Sequence, residues 1–159
     1  MDSGLREACV AALVVLAGSE DYVDRADAGR GLAPFAEVPA AARALTALLT
    51  DPQDTYVTLE TARALLRRGD RAATAIVAAA LADADADAEP WHGQYVYDAV
   101  REVSGLFAED HAEAVRLAEE LAAAPDTRLA KGAAALRGML DEVQPVFGLP
   151  VRPPDRPTA

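Results

Sequence analysis

Cysteine is almost absent from this chain, because Cys9 is the only one among its 159 residues. A single thiol forms no intrachain disulfide, so a disulfide framework and a cysteine-based zinc site are both excluded. Cys9 lies in the apolar run Ala8 to Ala17, which is typical of a small buried hydrophobe. The run is about half the length of a membrane span. Asp2 and Glu7 precede it, which is atypical of a signal peptide. We therefore expect a cytoplasmic protein.

Positive charge is also scarce. Fifteen Lys and Arg residues stand against 26 Asp and Glu residues, which gives a formal net charge of −11. Contacts to phosphates dominate nucleic-acid affinity, so an acidic chain is expected to bind neither nucleic acid nor an anionic membrane surface. This charge would suit a basic partner protein, but negative charge that only keeps the protein in solution is the preferred interpretation. The near absence of lysine, of which Lys131 is the sole example, indicates a GC-rich bacterial genome rather than a function.

Aromatic residues make up only 5% of the chain, although 52% of it is hydrophobic. The apolar content is mostly alanine and leucine, which favours close-packed helices over sheets. The length suits one domain with a real core. Five prolines follow Val143 and exclude a helix there. The sequence therefore predicts one all-α domain over residues 1–143 and a proline-rich tail over 144–159, with Val146, Phe147 and Leu149 folding back over the last helix.

A helical hairpin is predicted most clearly between Asp51 and Asp83. Asp51 is expected to cap its first helix, with Pro52 at the first helical position. Gly69 suits a left-handed C-terminal cap, and Asp70 can cap the second helix. The apolar residues of the two helices recur at helical spacing: Val57, Leu59, Ala62, Leu65 and Leu66, then Ile76, Val77, Ala80 and Leu81.

The same periodicity predicts six further helices, and Asp110 and Asp126 are expected to cap the last two. Their predicted spans are 3–17, 20–36, 40–50, 91–107, 111–123 and 127–143. The first helix is apolar nearly all round, so we expect it to be buried on more than one side. Gly29 and Gly31 are expected to weaken the second helix, and Pro34 to end or bend it.

Parts of the chain repeat one another. Tyr22-Val23 recurs as Tyr56-Val57, and Arg30-Gly31-Leu32 recurs as Arg63-Ala64-Leu65. Two helices in each period of about 32 to 40 residues indicate an α-solenoid, in which each hairpin stacks on its neighbours. Together these residues resemble the HEAT-repeat proteins, and the resemblance is carried by Asp51-Pro52, Val57, Ala62, Ala64, Leu65 and Gly69-Asp70.

The resemblance implies about four stacked antiparallel hairpins that form a right-handed superhelix. It implies binding far more often than catalysis, and it names no partner. The second helices of the hairpins should then line the concave side. The residues there that become candidate contacts for a partner are Arg43, Thr46, Arg71, Thr74, Arg116 and Glu120.

The chain has one aromatic cluster, formed by Trp91, His92, Tyr95 and Tyr97. Aromatic side chains anchor many interfaces, but they also fill cores, and the core interpretation is favoured here. Tyr97 faces away from Trp91 and Tyr95 on the predicted helix, so it is the residue most expected to be exposed. Trp91, His92 and Tyr97 are therefore added to the candidate contacts.

Metal and cofactor sites are not predicted. Asp83, Asp85, Asp87 and Glu89 resemble the start of a calcium loop, but an alanine replaces its glycine and Gln94 its bidentate glutamate. A solvated acidic loop is the preferred interpretation. The two histidines lack the paired glutamates of the HEAT-like di-iron hydroxylases, and the motif HExxH is absent. No catalytic, cofactor-binding or metal-binding residue is assigned.

We therefore predict a non-catalytic protein-interaction module that is a monomer or a weak homodimer. The alternative is an enzyme, such as a lyase-like member of the same repeat class, with its site near His92, Tyr95 and Tyr97. A deep pocket that converges on His92 would favour the enzyme. A broad open groove would favour the binding module.

Overall fold

The computed structural model describes residues 3–83 and 91–148, and within these ranges the chain forms eight α-helices. The predicted all-α class is confirmed. Residues 1–2, 84–90 and 149–159 and the side chains of Ser3 and Trp91 lie outside the described part, and with them Asp85, Asp87, Glu89 and Leu149. The helices are α1 (Ser3–Leu16), α2 (Tyr22–Leu32), α3 (Pro39–Leu49), α4 (Thr55–Arg68), α5 (Arg71–Asp83), α6 (Trp91–Ser104), α7 (Ala108–Ala122) and α8 (Thr127–Asp141), with a 3₁₀ turn at Ala33–Phe35.

Helices α2 and α4 lie side by side and run in the same direction. The ring of Tyr22 meets that of Tyr56 edge-on near their N-terminal ends, with 5.9 Å between centroids. Further along, a Cβ atom at Gly29 would lie 3.2 Å from the Cβ of Thr61 and closer still to its hydroxyl. Gly29 therefore permits this close approach. That is why α2 continues through a glycine that was expected only to weaken it.

Helix α6 packs on the other side of α4, again in the same direction. The imidazole Nε2 of His92, at the start of α6, lies 2.9 Å from the backbone oxygen of Asp51, just before α4. Towards the opposite ends, Arg67 of α4 donates to Glu102 of α6 over 3.1 Å. Three parallel helices, α2, α4 and α6, therefore form one layer.

The C-terminal helices are arranged differently. Arg128, near the start of α8, donates from Nε to Asp83 at the end of α5 over 2.7 Å, and Gly132 packs against the backbone of Ala78. Helix α8 therefore runs antiparallel to α5. The contact between α5 and α8 is more extensive than the contact between α5 and α7. In a regular stack of hairpins, α5 would instead pack most extensively on α7, the second helix of the next hairpin. The four-hairpin solenoid accordingly stays a prediction.

Two of the predicted N-terminal caps are wrong. Helix α4 begins at Thr55, and Asp54 caps it by accepting a hydrogen bond from the backbone N–H of Tyr56 over 2.8 Å. Asp51 lies before the first turn of α4, and its carboxylate binds Arg25 of α2 instead. Helix α7 begins at Ala108, so Asp110 falls inside its first turn rather than before it. For α4, a second aspartate close by made the sequence signal ambiguous, whereas the N-cap of α7 is Phe107 and makes no side-chain cap hydrogen bond.

The other predicted caps are confirmed. Gly69 has the positive φ of 62° that a left-handed cap requires, which glycine adopts at little cost. Asp70 accepts from the backbone N–H of Ala73 over 2.9 Å. Asp126 accepts from the N–H groups of Arg128 and Leu129 at the start of α8.

The segment after α8 packs against the loop between α6 and α7, rather than over α8 as expected. The N–H of Val146 donates to the oxygen of Gly105 over 3.0 Å, and that of Phe147 donates to Leu106 over 2.8 Å. The N–H of Ala108 donates back to Phe147 over 2.9 Å. These bonds make a short parallel bridge between the two segments. Folded structure therefore extends beyond the predicted start of the tail.

Leu65→Ala should lower the free energy of unfolding by about 3 kcal/mol, within the range for truncation of a buried leucine. Leu65 is 1% exposed in the core cluster that connects the helices, whereas Phe147 is 55% exposed. Phe147→Ala should therefore cost clearly less. Urea unfolding of both variants beside the wild type makes the comparison, and equal losses would contradict this picture of the core.

Candidate functional site

A cavity of about 450 Å³, which we call the α6–α7 groove, lies near several of the candidate contacts. It lies where the ends of α4 and α6 meet the first half of α7 and the side of α8. Apolar side chains form most of its walls and charged side chains its rim, with Gly69, Thr74 and Ser104 between them. The apolar residues are Leu66, Val103, Leu106, Phe107, Ala114, Leu117, Leu136 and Leu140, and the charged residues are Arg67, Arg68, Glu102, Asp110 and Glu113.

An exposed apolar surface adjoins this groove. Leu106 and Phe107 are 50% and 47% exposed, and Val146 and Phe147, bonded to the same loop, are 68% and 55% exposed. The rings of Phe107 and Phe147 lie 5.8 Å apart. Contiguous exposed apolar side chains beside polar ones are a common mark of interaction sites.

Some charged side chains on the rim form ion pairs and others do not. Arg67 pairs with Glu102, and Arg68 pairs with Asp70 over 2.6 Å and with a second carboxylate. By contrast, Glu109 and Asp110 lie exposed in the first turn of α7. The described part of the chain shows no hydrogen bond or ion pair of their side chains. The free charge of the rim is therefore negative.

Three of the sequence-predicted contacts form an ion-pair cluster beside the groove. Arg71 donates to Glu120 over 2.8 Å, and Arg116 donates to Glu120 over 3.2 Å and to Glu113 over 2.8 Å. The hydrogen bond from Arg116 holds the pKa of Glu113 below its ordinary value. These pairs are exposed to solvent, so they contribute little to stability. Their charges remain available to a partner at the surface.

The threonines predicted as contacts lie in two different places. Thr74 lines the α6–α7 groove, where its hydroxyl donates to the backbone oxygen of Asp70 over 2.8 Å. Thr46 lines a separate depression of about 250 Å³ between α3, α5 and α8, and its hydroxyl donates to Ala42 over 2.9 Å. Arg43 is exposed on α3. The six predicted contacts on second helices therefore do not converge on one site.

The aromatic cluster at the start of α6 does not converge on the groove either. His92 has its Nε2 against a backbone oxygen, which only accepts, so this nitrogen carries the proton. Tyr97 donates to Glu142 over 2.8 Å, and this hydrogen bond raises the pKa of its phenol. The guanidinium of Arg101 lies 5.9 Å from the Tyr97 ring. Tyr97 is partly exposed, while the side chain of Trp91 lies outside the described part.

The second histidine is held in the same manner as the first. The Nε2 of His111 lies 3.0 Å from the backbone oxygen of Leu140, so it donates to that carbonyl. Within residues 3–83 and 91–148, no group of three or more His, Cys, Asp or Glu side chains is placed to hold a metal ion. Asp83, the one member of the calcium-like pattern that is described, pairs with Arg128.

A buried ion pair between Arg25 and Asp51 was missed by the sequence reasoning. The side chains are 6% and 5% exposed. Arg25 donates from Nε and Nη2 to the two carboxylate oxygens over 2.7 and 3.3 Å, and from Nη1 to the backbone oxygens of Ser19 and Glu20. An arginine on the buried side of α2 was the available signal, since arginine is almost never fully buried without a partner.

The carboxylate of Asp51 is satisfied on every side. Besides Arg25, it accepts from the backbone N–H groups of Gln53 and Asp54, each over 2.9 Å. Burial raises the pKa of Asp51, but the hydrogen bonds from Arg25, Gln53 and Asp54 together outweigh it, so the pKa lies below its ordinary value. The pair connects the loops before α2 and α4. The ion pair has a structural role, since its hydrogen-bond donors and acceptors are bonded to other groups of the fold.

Comparison with known proteins adds one weak likeness. No family model and no curated protein matches the chain. Among solved structures, the chain is similar to an engineered protein whose crystal structure is known, at 20% identity over 83% of this chain and a TM-score of 0.36. The chain spans 62% of the length of that engineered protein. At this TM-score the likeness carries no argument about fold or function. In the described residues, no helix is long and apolar enough to cross a membrane.

Proposed function

We propose that this chain is a non-catalytic binding module that holds a segment of a basic protein in the α6–α7 groove. The observation that carries the proposal is the continuity between the apolar walls of the groove and the exposed side chains of Leu106, Phe107, Val146 and Phe147. A partner that brings apolar side chains to this surface would remove them from water.

The charge of the site supports a basic partner. Asp110 lines the groove and Glu109 precedes it in the first turn of α7, and both are exposed and unengaged, while Arg67 and Arg68 are paired with carboxylates. Helices α4 and α6 both end at the groove, and helix C-terminal ends carry partial negative charge that favours cations. The net charge of −11 would also speed the approach of a cationic protein over the longer range.

The placement of the histidines supports binding over the lyase-like alternative. Both Nε2 atoms face backbone carbonyls, and neither His92 nor His111 lines the groove. The resemblance to HEAT-repeat proteins belongs to the same proposal. The parallel packing of α2, α4 and α6 and the Gly69-Asp70 turn between α4 and α5 support it, and binding is the usual role of stacked helical hairpins.

Capture from a lysate of the native host, followed by quantitative mass spectrometry, tests this function. Leu106→Lys removes an apolar contact and places a positive charge against the basic partner, so it should reduce the recovery of captured basic proteins at least tenfold. Val23→Lys is the matched control, because Val23 is 42% exposed on α2, away from the groove, and gains the same charge. It should bind like the wild type. Circular dichroism confirms that each variant is folded.

Three results would contradict the proposal. One is the absence of any protein captured in a saturable manner. Another is capture that Leu106→Lys and Val23→Lys leave equally unchanged. The third is a set of captured proteins without an excess of lysine and arginine, which would refute the basic partner. A direct titration of the leading captured protein should then give the same order of affinities for the three forms.

A further inference from the structure

Helix α1 has an apolar face that nothing in the described structure covers. The sequence predicts burial on more than one side, yet only one side packs on the core, with Val10 3% exposed and Leu13 and Leu16 packed behind it. On the outer side, Val15 is 78% exposed and Leu5 is 62% exposed. These are among the most exposed large hydrophobic side chains of the described residues, and they lie on one helix.

The outer face has the spacing of a coiled-coil seam. Gly4, Ala8, Ala11 and Val15 are all exposed, and they follow one another at intervals of 4, 3 and 4 residues. These are successive a and d positions of a heptad, which face a partner helix when two helices pair. Three of the four residues are small, so another helix can approach closely, at roughly 8 Å between axes.

The seam is complementary to itself when two copies run in opposite directions. Such a pairing places the bulky Val15 of each copy over Gly4 of the other, where the missing side chain leaves room. It also places Ala8 opposite Ala11. A parallel pairing would instead oppose Val15 to Val15 and Gly4 to Gly4, which fits less well.

Charge also favours a second copy as the occupant. Two molecules with a net charge of −11 repel each other, so their contact is favoured where carboxylates are few. Between Gly4 and Val15 the seam is flanked by one carboxylate, that of Glu7, and from Ala8 to Ser19 the chain contains no Asp, Glu, Lys or Arg. The basic partner proposed for the groove would find no carboxylate on this stretch. The face therefore suits an uncharged apolar helix surface, and α1 of another copy provides one.

We propose that the protein forms a homodimer through antiparallel pairing of α1 with α1 of a second copy, around a two-fold axis. This inference is independent of the function proposed for the groove. A pair of 14-residue helices gives an interface at the small end of the range for specific complexes, so the dimer is weak, with a dissociation constant of about 100 µM. Because the contact is apolar, added salt screens the repulsion between copies and strengthens the dimer.

Sedimentation equilibrium between about 5 and 500 µM tests the dimer, over a range that brackets this affinity. Ala11→Glu should weaken dimerisation at least tenfold, because it places two carboxylates in the seam. Ala135→Glu is the matched control, since Ala135 is exposed in the middle of α8 and the net charge changes equally. It should dimerise like the wild type. A wild type that is monomeric throughout, or a dimer equally insensitive to both variants, would overturn the proposal.

Crosslinking tests the direction of the pairing. In a Cys9→Ala background, the single variants Ala8→Cys and Ala11→Cys are oxidised alone and as an equimolar mixture. The antiparallel register brings position 8 of one copy next to position 11 of the other, so the mixed disulfide should exceed either homodimer several-fold. Homodimers in excess over the mixed species would refute the antiparallel register, and no crosslink in any sample would refute the interface.

Discussion

Gly132→Ala should lower the free energy of unfolding by more than about 4 kcal/mol, beyond the usual cost of overpacking a core. A Cβ atom on Gly132 would lie 2.7 Å from the carbonyl carbon of Ala78 and 2.9 Å from the amide nitrogen of Ala82. These are backbone atoms of α5, so no side-chain rotation relieves the clash. Helices α5 and α8 would have to separate along their most extensive contact.

Gly138→Ala provides the control in the same helix. No atom lies within 4 Å of a Cβ placed on Gly138, and the residue is exposed. The alanine should therefore stabilise the protein by about 0.5–1 kcal/mol, because it improves helix propensity without a steric cost. Urea unfolding with far-ultraviolet circular dichroism measures both variants. Opposite signs are expected, and a Gly132→Ala protein as stable as the wild type would show that α8 does not pack on α5 in this way.

Asp51→Asn should destabilise the protein by about 4 kcal/mol, since removing one member of a buried ion pair leaves the other charge uncompensated. The substitution preserves the shape of the side chain, so the loss reports on the charge that Arg25 requires and on the one acceptor oxygen that the amide replaces. Asp83→Asn is the matched control at the exposed pair with Arg128, where the side chains are 47% and 60% exposed. There we expect less than about 1 kcal/mol.

The dependence of this loss on pH gives a second measurement. The folded pKa of Asp51 lies below its ordinary value of 3.8, so the pair stabilises the protein fully above that pH. The contribution is lost as the pH falls below 3.8 and through the folded pKa. The difference in unfolding free energy between the wild type and Asp51→Asn should therefore be constant near neutral pH and shrink in acid. A difference that grows in acid would refute the role given to the carboxylate.

Local features of the fold were predictable because their causes lie within a few residues. The turn between α4 and α5 needs a residue with positive φ and a side-chain acceptor, and Gly69-Asp70 provides both. The cap of α4 was misassigned because Asp51 and Asp54 both precede that helix and both can accept backbone hydrogen bonds. The choice between them depends on Arg25, which is 26 residues away from Asp51.

The candidate site was predictable only in fragments. Arg71, Thr74, Arg116 and Glu120 do lie in or beside the α6–α7 groove, since α5 and α7 approach one another there. Their neighbours Leu106 and Phe107 were assigned to a longer α6 instead of to the loop that follows it. The partner of that loop, the segment around Phe147, comes from the far end of the folded chain. No periodicity in the sequence could have paired them.

The sequence alone determined that this protein is helical, where most of its helices lie, and that it is strongly acidic. Helix periodicity, capping side chains and charge are properties of neighbouring residues or of the whole composition. Only the tertiary structure decided that α8 turns back along α5, that Arg25 and Asp51 are buried together, and that one apolar face of α1 is left open in the described structure. Each of these depends on contacts between segments far apart in sequence, where small residues permit close approach and buried charges must find each other.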